Sequence, residues 1–386
     1  MVEYLTHTLI NHLIIFQAII LLVILSNMWF LHRAKKHTSP GALPMVSILV
    51  PARNEERNIA NCVRSLLAQD YPSFEVIVYD DQSTDATRSI LEQIARKHPM
   101  LKILDGIPLP EGRLGKNWAC VQLARQAKGD LLLFTDADTL HQPQALRMIV
   151  TAMIGEKADL LTGFPRQELH TWGERLLVPF FSWALYCFNS LGLAYGLRVP
   201  VLSSAVGQMM LFRREAYQAI GGHERVADSI IDDLMLARQI KSAGLRWRFM
   251  NLTDLVSCRM YQGSREAFDG FSKNLFAAFD FHLLFFCFAF IWLAILFLEP
   301  LIILILSILG KVPLARLDEL VLCIGLSLLL WLIPFLDLRI PFYLAFLYPI
   351  NLLAIEVVAF RSLHLTLTGH LTWKDRTLSR QRWKWF

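Results

Sequence analysis

The sequence predicts an α/β domain on a Rossmann-like, mostly parallel sheet, joined to α-helical transmembrane segments. Two apolar blocks, Leu9 to Leu31 and about Phe281 to Phe360, flank a middle stretch of ordinary soluble composition. That middle stretch alternates short apolar runs with amphipathic ones, the pattern of βαβ units. At 386 residues, 54% hydrophobic and mean hydropathy +0.41, the chain is too apolar for a soluble enzyme and too long for membrane helices alone.

A helix needs roughly 20 apolar residues to cross a hydrocarbon core about 30 Å thick, and Leu9 to Leu31 supplies them. Without a basic n-region or a small-x-small cleavage site, this run reads as an uncleaved anchor rather than a signal peptide. His32, Arg33, Lys35, Lys36 and His37 follow it, and positive flanks stay cytoplasmic. An anchor and basic flank over residues 1–40 therefore hold a cytosolic domain over 41–275, after a linker containing Pro40, Gly41 and Pro44.

The C-terminal block, 276–386, offers spans at Phe281 to Leu309, Leu317 to Leu336 and Ile340 to Phe360. Three crossings would place outside a tail carrying Arg361, Lys374, Arg376, Arg380, Arg382 and Lys384, where the positive-inside rule wants it inside. Either one segment is re-entrant or the tail breaks the rule. The expected location is a bacterial inner membrane, with several passes.

The net charge of +5 is spread along the chain and is densest beside the apolar blocks. That speaks against nucleic acid as a partner and for anionic lipid headgroups. Six scattered cysteines without a C-x-x-C pair signal neither a disulfide framework nor a zinc site.

Within the middle stretch, strands are expected at Val46 to Val50, Glu75 to Tyr79, Lys102 to Leu104, Leu131 to Thr135 and Asp159 to Thr162. Helices are expected at about Glu56 to Ala68, Thr87 to Lys97 and Lys116 to Lys128. Ligands of such sheets bind beyond the C-terminal ends of the strands, where the polar clusters of this chain fall. Leu176 to Leu202 is apolar and aromatic. A crossing there would separate the acidic motifs across the bilayer, so it reads as an interfacial segment facing lipid, with a buried helix as the alternative.

Three acidic motifs carry chemistry. Asp136-Ala137-Asp138 ends an apolar strand with carboxylates at i and i+2, which alternation sends to one side, where they can converge on a divalent cation. Such an ion neutralises charge on a departing nucleotide diphosphate. Asp80-Asp81 ends another strand and leads into Gln82-Ser83-Thr84-Asp85. A carboxylate here can accept hydrogen bonds from a base or ribose, whereas helix capping alone explains Ser83, Thr84 and Asp85. Asp232-Asp233 opens an amphipathic helix running to about Ala243. Helix-dipole stabilisation, roughly 0.3–1 kcal/mol, accounts for either residue; the functional alternative is a general base.

The order and spacing of these pieces resemble the family-2 glycosyltransferases of GT-A fold, over about Val46 to Asn274. Val50-Pro51-Ala52-Arg53-Asn54-Glu55 is similar to their first-strand signature, and Asp80 to Asp85, Asp136 to Asp138 and Asp232-Asp233 to the later motifs. The resemblance implies a donor site of Pro51, Arg53, Glu55, Asp80, Asp81, Lys116 and Asp136. It implies magnesium or manganese on Asp138 with Asp136, and Asp233 as catalytic base beside Asp232. Gln262-Gly263-Ser264-Arg265 resembles a Gln-x-x-Arg-Trp motif, with Glu266 where Trp is expected, and the resemblance would place Gln262 and Arg265, with Asp232, on the acceptor or diphosphate side.

The implied reaction is inverting transfer of a hexose, with UDP-glucose the expected donor, to a membrane lipid hydroxyl. The layout resembles carotenoid glycosyltransferases and hopanoid-associated or ceramide-type relatives, so a carotenoid or other isoprenoid alcohol is the expected acceptor. A polyprenyl-phosphate glycosyltransferase, a processive polysaccharide synthase and a transporter or scaffold are the competing readings.

Overall fold

The computed structural model describes residues 2–37, 41, 43–311, 317–369, 372, 373, 376, 377 and 383–385. Pro40 and the tail residues Lys374, Arg380 and Arg382 lie outside them. The chain divides into two units: one of Met28–Glu168 with Leu191–Met260, the other of Met1–Asn27, Leu169–Ser190 and Tyr261–Phe386.

The first unit is built on ten strands: β1 (Val46–Ala52), β2 (Phe74–Asp80), β3 (Leu101–Asp105), β4 (Leu131–Phe134), β5 (Thr139–His141), β6 (Leu160–Phe164), β7 (Arg166–Gln167), β8 (Met210–Arg213), β9 (Trp247–Asn251) and β10 (Val256–Cys258). Seven form one sheet in the order β3-β2-β1-β4-β8-β6-β9. Only β8 runs against its neighbours, β4 and β6; every other pairing in that sheet is parallel. β5, β10 and β7 make a second, small sheet.

A parallel sheet covered on both faces demands continuous apolar strands rather than alternation. Val46, Ile48, Leu49 and Val50 of β1 and Val76, Ile77 and Val78 of β2 are accordingly all fully buried, each side chain contributing roughly 1.5–3 kcal/mol by leaving water. The helix Ile59–Leu67 buries Ile59, Cys62, Val63 and Leu66, spacings of three and four residues that make one stripe.

The predicted α/β class is what forms. All five expected strands and all three expected helices are present within a few residues of their expected ends. The antiparallel β8, the small sheet and the helix Ala145–Gly155 are additions. β8 matters for function. In its register with β4, Met210 stands opposite Phe134, so the residues entering β8, Gly207 and Gln208, lie at the sheet edge where Thr135 and Asp136 leave β4.

The second unit is helical. Among the described residues, Ile10–Arg33, Leu317–Asp337 and Phe342–Thr368 are long and apolar enough to cross a membrane, the first running on into the sheet unit. A fourth candidate, Leu283–Phe297 followed by Glu299–Ile308, bends by 40° at the break, where Pro300 cannot donate to the preceding turn. Leu22 (67% exposed) and Phe360 (75%) show the outward apolar surface that suits hydrocarbon. Two buried amides find partners there: Gln17 donates to Ser327 Oγ at 2.8 Å, and Asn27 to the carbonyls of Tyr186 and Asn189.

The stretch 176–202, read as one interfacial segment, is shared between the units. The helix Trp172–Phe188 packs with the apolar helices: Trp183 stacks on Trp331 at 3.9 Å and donates to Leu330 O. Leu191–Gly196 and Pro200–Leu202 belong to the sheet unit, with Leu193, Leu197 and Val201 exposed.

Candidate active site

The site is assembled at the C-terminal edge of the parallel strands. β1 and β2 end together, and the loops that leave them are stitched. Asp81 N–H donates to Ala52 O (2.8 Å). Arg53 Nη1 donates to Asp81 O (2.7 Å) and lies 3.5 Å from its Oδ2. Asn54 N–H donates to Ser83 Oγ, Thr84 N–H to Asn54 Oδ1, and Glu56 N–H to Asp85 Oδ2. Asp85 reaches the helix Thr87–Ala95, its Oδ1 accepting Thr87 N–H at 2.9 Å, while Ser83, Thr84 and Asp85 all bind the neighbouring loop. Asp80 accepts from Ser83 N–H (3.2 Å), a turn-building contact. Asn54 and Gln82 hold left-handed backbone (φ 54° and 55°) in these same loops, a strain that concentrates at functional sites. Pro51, opposite Tyr79 in the β1–β2 register, lies in the strand itself.

β4 delivers the second group. Thr135 donates to Gln208 O (2.8 Å) and Thr139 to Asp136 O (2.8 Å), which fixes the Asp136–Asp138 turn. Lys116 Nζ pairs with Asp136 Oδ1 at 2.7 Å. Burial, then repulsion from Asp136 and Glu55, pushes the Asp138 carboxyl up to about 7. Its Oδ1 is buried without a hydrogen-bond partner, a costly state unless something else binds it.

The third group comes from the helix Asp232–Ser242. Asp233 accepts Gly207 N–H at 3.0 Å and Leu234 N–H at 2.7 Å. Burial and then the charge of Asp232 push its pKa up to about 7. Asp232, though buried, is held below the usual carboxylate range by Lys116 and then His223. Against its burial, Asp136 and then Asp232 hold Lys116 well above its ordinary value. The junction is tight at Gly207: a Cβ there would lie 3.4 Å from both Asp233 Oδ2 and Lys116 Nζ. Asn117 secures the approach, donating to Val226 O (2.8 Å) and Ser229 O (2.9 Å) just before Asp232.

Lys116, Asp136, Asp138, Asp232 and Asp233 therefore stand together, with Glu55 within electrostatic reach of Asp138 and the Arg53–Asp81 pair on the adjoining strand ends. Gln262 and Arg265 belong to the other unit. Arg265 is almost wholly exposed, 3.8 Å from Asp269. Glu266 accepts Gln262 N–H at 2.7 Å at the start of the helix Ser264–Asn274, which accounts for a carboxylate where tryptophan was expected. Gly207, Gln208, Asn117 and His223 were missed by sequence reasoning; only the Gly221-Gly222 pair beside His223 signals a special backbone.

Residues 47–221 match the sequence model described as Glycosyl transferase family 2. Those residues carry a family 2 glycosyltransferase domain. It is 30% identical over 203 residues to a beta-monoglucosyldiacylglycerol synthase of Nostoc sp., a match covering 51% of this chain and 41% of that protein. It is 28% identical over 249 residues to a 4,4'-diaponeurosporenoate glycosyltransferase of Staphylococcus aureus, covering 63% of this chain and 64% of that one. The chain thus spans only about half the length of the curated relatives it matches. Among solved structures, a mannosyltransferase from Pyrobaculum calidifontis in complex with GDP-Man and Mn2+ is similar at 22% identity and TM-score 0.49, over 94% of this chain and 91% of that one.

Proposed function

We propose that this protein is an inverting glycosyltransferase that moves a hexose from a UDP-sugar, best UDP-glucose, to the hydroxyl of a membrane lipid, best a carotenoid or other isoprenoid alcohol. The observation that carries the chemistry is Asp233, a carboxylate with pKa about 7 beside Lys116 and the Asp136–Asp138 turn. A base matched to neutral pH suits a neutral alcohol, whose proton must leave as its oxygen attacks. An acceptor phosphate, already ionised, needs no such group. The lipid class rests on the two relatives, one named for glucosyldiacylglycerol and one for a carotenoid acid.

In this reading Asp81, braced by Arg53, faces the nucleobase, with Pro51, Glu55 and Asp80 shaping the donor pocket. Lys116 exchanges part of its pairing with Asp136 for the diphosphate. Asp233 takes the hydroxyl proton, and Asp232 stays ionised. The buried, unpartnered Oδ1 of Asp138 fits a divalent cation, with Asp136 as second donor. Among the described residues, no three His, Cys, Asp or Glu side chains could hold a metal by themselves. That suits magnesium or manganese, which take one or two carboxylates and complete their shell with substrate phosphates. Bound there, such an ion would neutralise charge on the departing nucleotide diphosphate.

The bent pair Leu283–Ile308 reads as a re-entrant segment. Lys384 N–H donates to Phe281 O (2.9 Å) and Leu283 N–H to Lys384 O (2.9 Å), so the tail returns to where the chain enters the apolar block. An even number of crossings must lie between, and Leu317–Asp337 with Phe342–Thr368 supply two. The basic tail then stays cytoplasmic.

D233N tests the function. It is expected to keep UDP binding, read by calorimetry, and to lose transfer by about 10²-fold or more. Near-normal turnover would remove Asp233 from the mechanism.

A further inference from the structure

Asp232 takes no part in the proton transfer assigned to Asp233, yet it is the more buried of the pair, and its surroundings are built. Its Oδ2 lies 3.6 Å from Nε2 of His223, whose side chain is wholly buried. On the far side of the ring, Nδ1 stands 2.9 Å from the hydroxyl of Tyr217. The same hydroxyl accepts the main-chain N–H of His223 at 3.0 Å. A phenol has one proton to give. Given to Nδ1, that proton selects the ring tautomer that carries its own N–H on Nε2, on the side of Asp232.

The ring is clamped in that attitude. Phe134 packs on it at 4.6 Å between centroids, and Phe134 and Phe212 enclose Tyr217 at 5.3 and 5.4 Å. Gly222 has φ +50°, and a Cβ on it would fall 2.4 Å from the Tyr217 ring. Glycine is what lets the phenol reach both atoms of His223.

Two adjacent buried carboxylates cannot both hold full charge cheaply, so one of them takes a proton, and the donors around each decide which. Asp233 has two main-chain N–H groups. Facing Asp232 are Lys116 and Cys120 on the helix Gly115–Gln126, His223 with Tyr217 behind it, and Asp233 on its own helix, while Asp136 faces Lys116. Oδ2 of Asp232 has no hydrogen bond within normal length in this state, and the imidazole Nε2 stands 3.6 Å from it.

We propose that Tyr217 and His223 are positioning residues for the acid–base step: they aim an N–H at Asp232 that, with Lys116, keeps it ionised, so that Asp233 alone receives the acceptor's proton. The inference rests on the base role proposed for Asp233. It adds a chain of support reaching from β4 and the Gly221-Gly222 turn to the reacting carboxylate.

The test uses the full chain in detergent, following UDP release from UDP-glucose with a long-chain polyisoprenoid alcohol and magnesium. H223F keeps a ring and removes the N–H. It is expected to lower kcat about 10-fold, leave the UDP-glucose KM within about 2-fold, and move the acidic limb of the kcat profile up by about one pH unit, because Asp232 without that donor holds a proton more tightly and the pair must lose both protons before Asp233 acts as base beside an ionised Asp232. H223Q, which returns an N–H, should recover most of the loss, and Y217F should move the limb the same way by less. A rate lowered equally at every pH, in a folded variant, would overturn the proposal and leave His223 a packing residue. Turnover by D233N would instead defeat the base reading itself. Nitrogen-15 NMR of labelled histidines needs no acceptor: the resonance lost in H223Q should report a neutral Nε2–H ring and shift in D232N. An Nδ1–H ring, or no response to D232N, would refute the arrangement.

Discussion

At the residue scale, the raised pKa of Asp233 has consequences for both rate and stability. Only its ionised form accepts a proton, so transfer should fall as pH drops through about 7. For stability the sign is the reverse. A carboxyl whose folded pKa lies above its unfolded value binds more protons when folded, so its contribution is lost as pH rises from about 4 towards 7. D233N, which cannot ionise, is therefore expected to melt a few degrees above wild type at pH 8 and equal to it near pH 4; equal melting at pH 8 would contradict the burial cost assigned to this group. The metal carboxylates give a second expectation. With one unpartnered oxygen on Asp138 and no three-residue cage among the described residues, manganese alone should barely raise the melting temperature, whereas manganese with UDP should raise it by several degrees, checked by thermal shift. D138N should abolish the joint effect.

At the element scale, the strands deliver the chemistry and the connections decide what it meets. Asp80 and Asp136 were legible because each ends an apolar run, and a parallel strand buried on both faces must be such a run. Ser83, Thr84 and Asp85 were legible only as caps, because their partners Asn54 and Glu56 lie about thirty residues earlier, across a strand pairing. β8 was not legible as an antiparallel insertion: Met210-Leu211-Phe212 is as apolar as a parallel strand, and pairing direction leaves no mark on composition. Yet that direction is what puts Gly207 against Asp233. Among the apolar helices, the bend before Pro300 and the return of Lys384 predict that Leu309, Gly310 and Lys311 face the cytosol. In a cysteine-depleted background, K311C should be labelled by a membrane-impermeant maleimide only in inverted vesicles, and R339C only in right-side-out ones; the opposite pattern would make Leu283–Ile308 a crossing.

At the scale of the whole molecule, one unit carries the carboxylates and the other most of the long apolar helices. Expression in a host that makes hydroxylated carotenoids should yield pigments heavier by one hexose, read by mass spectrometry, and D233N should yield none. An unchanged pigment profile alongside active turnover of other lipid alcohols would move the acceptor to a sterol-like or sphingolipid class. By itself the sequence determined the α/β class, the apolar helices and the acidic motifs, since each is written in local periodicity or in residues that end a buried strand. Tertiary structure alone decided that Lys116 bridges two carboxylate groups, that Gly207 seats Asp233, that His223 faces Asp232, and that Arg265 stands exposed outside the sheet unit. Those relations join residues tens of positions apart, and no local pattern in a chain records which distant side chain a buried charge will meet.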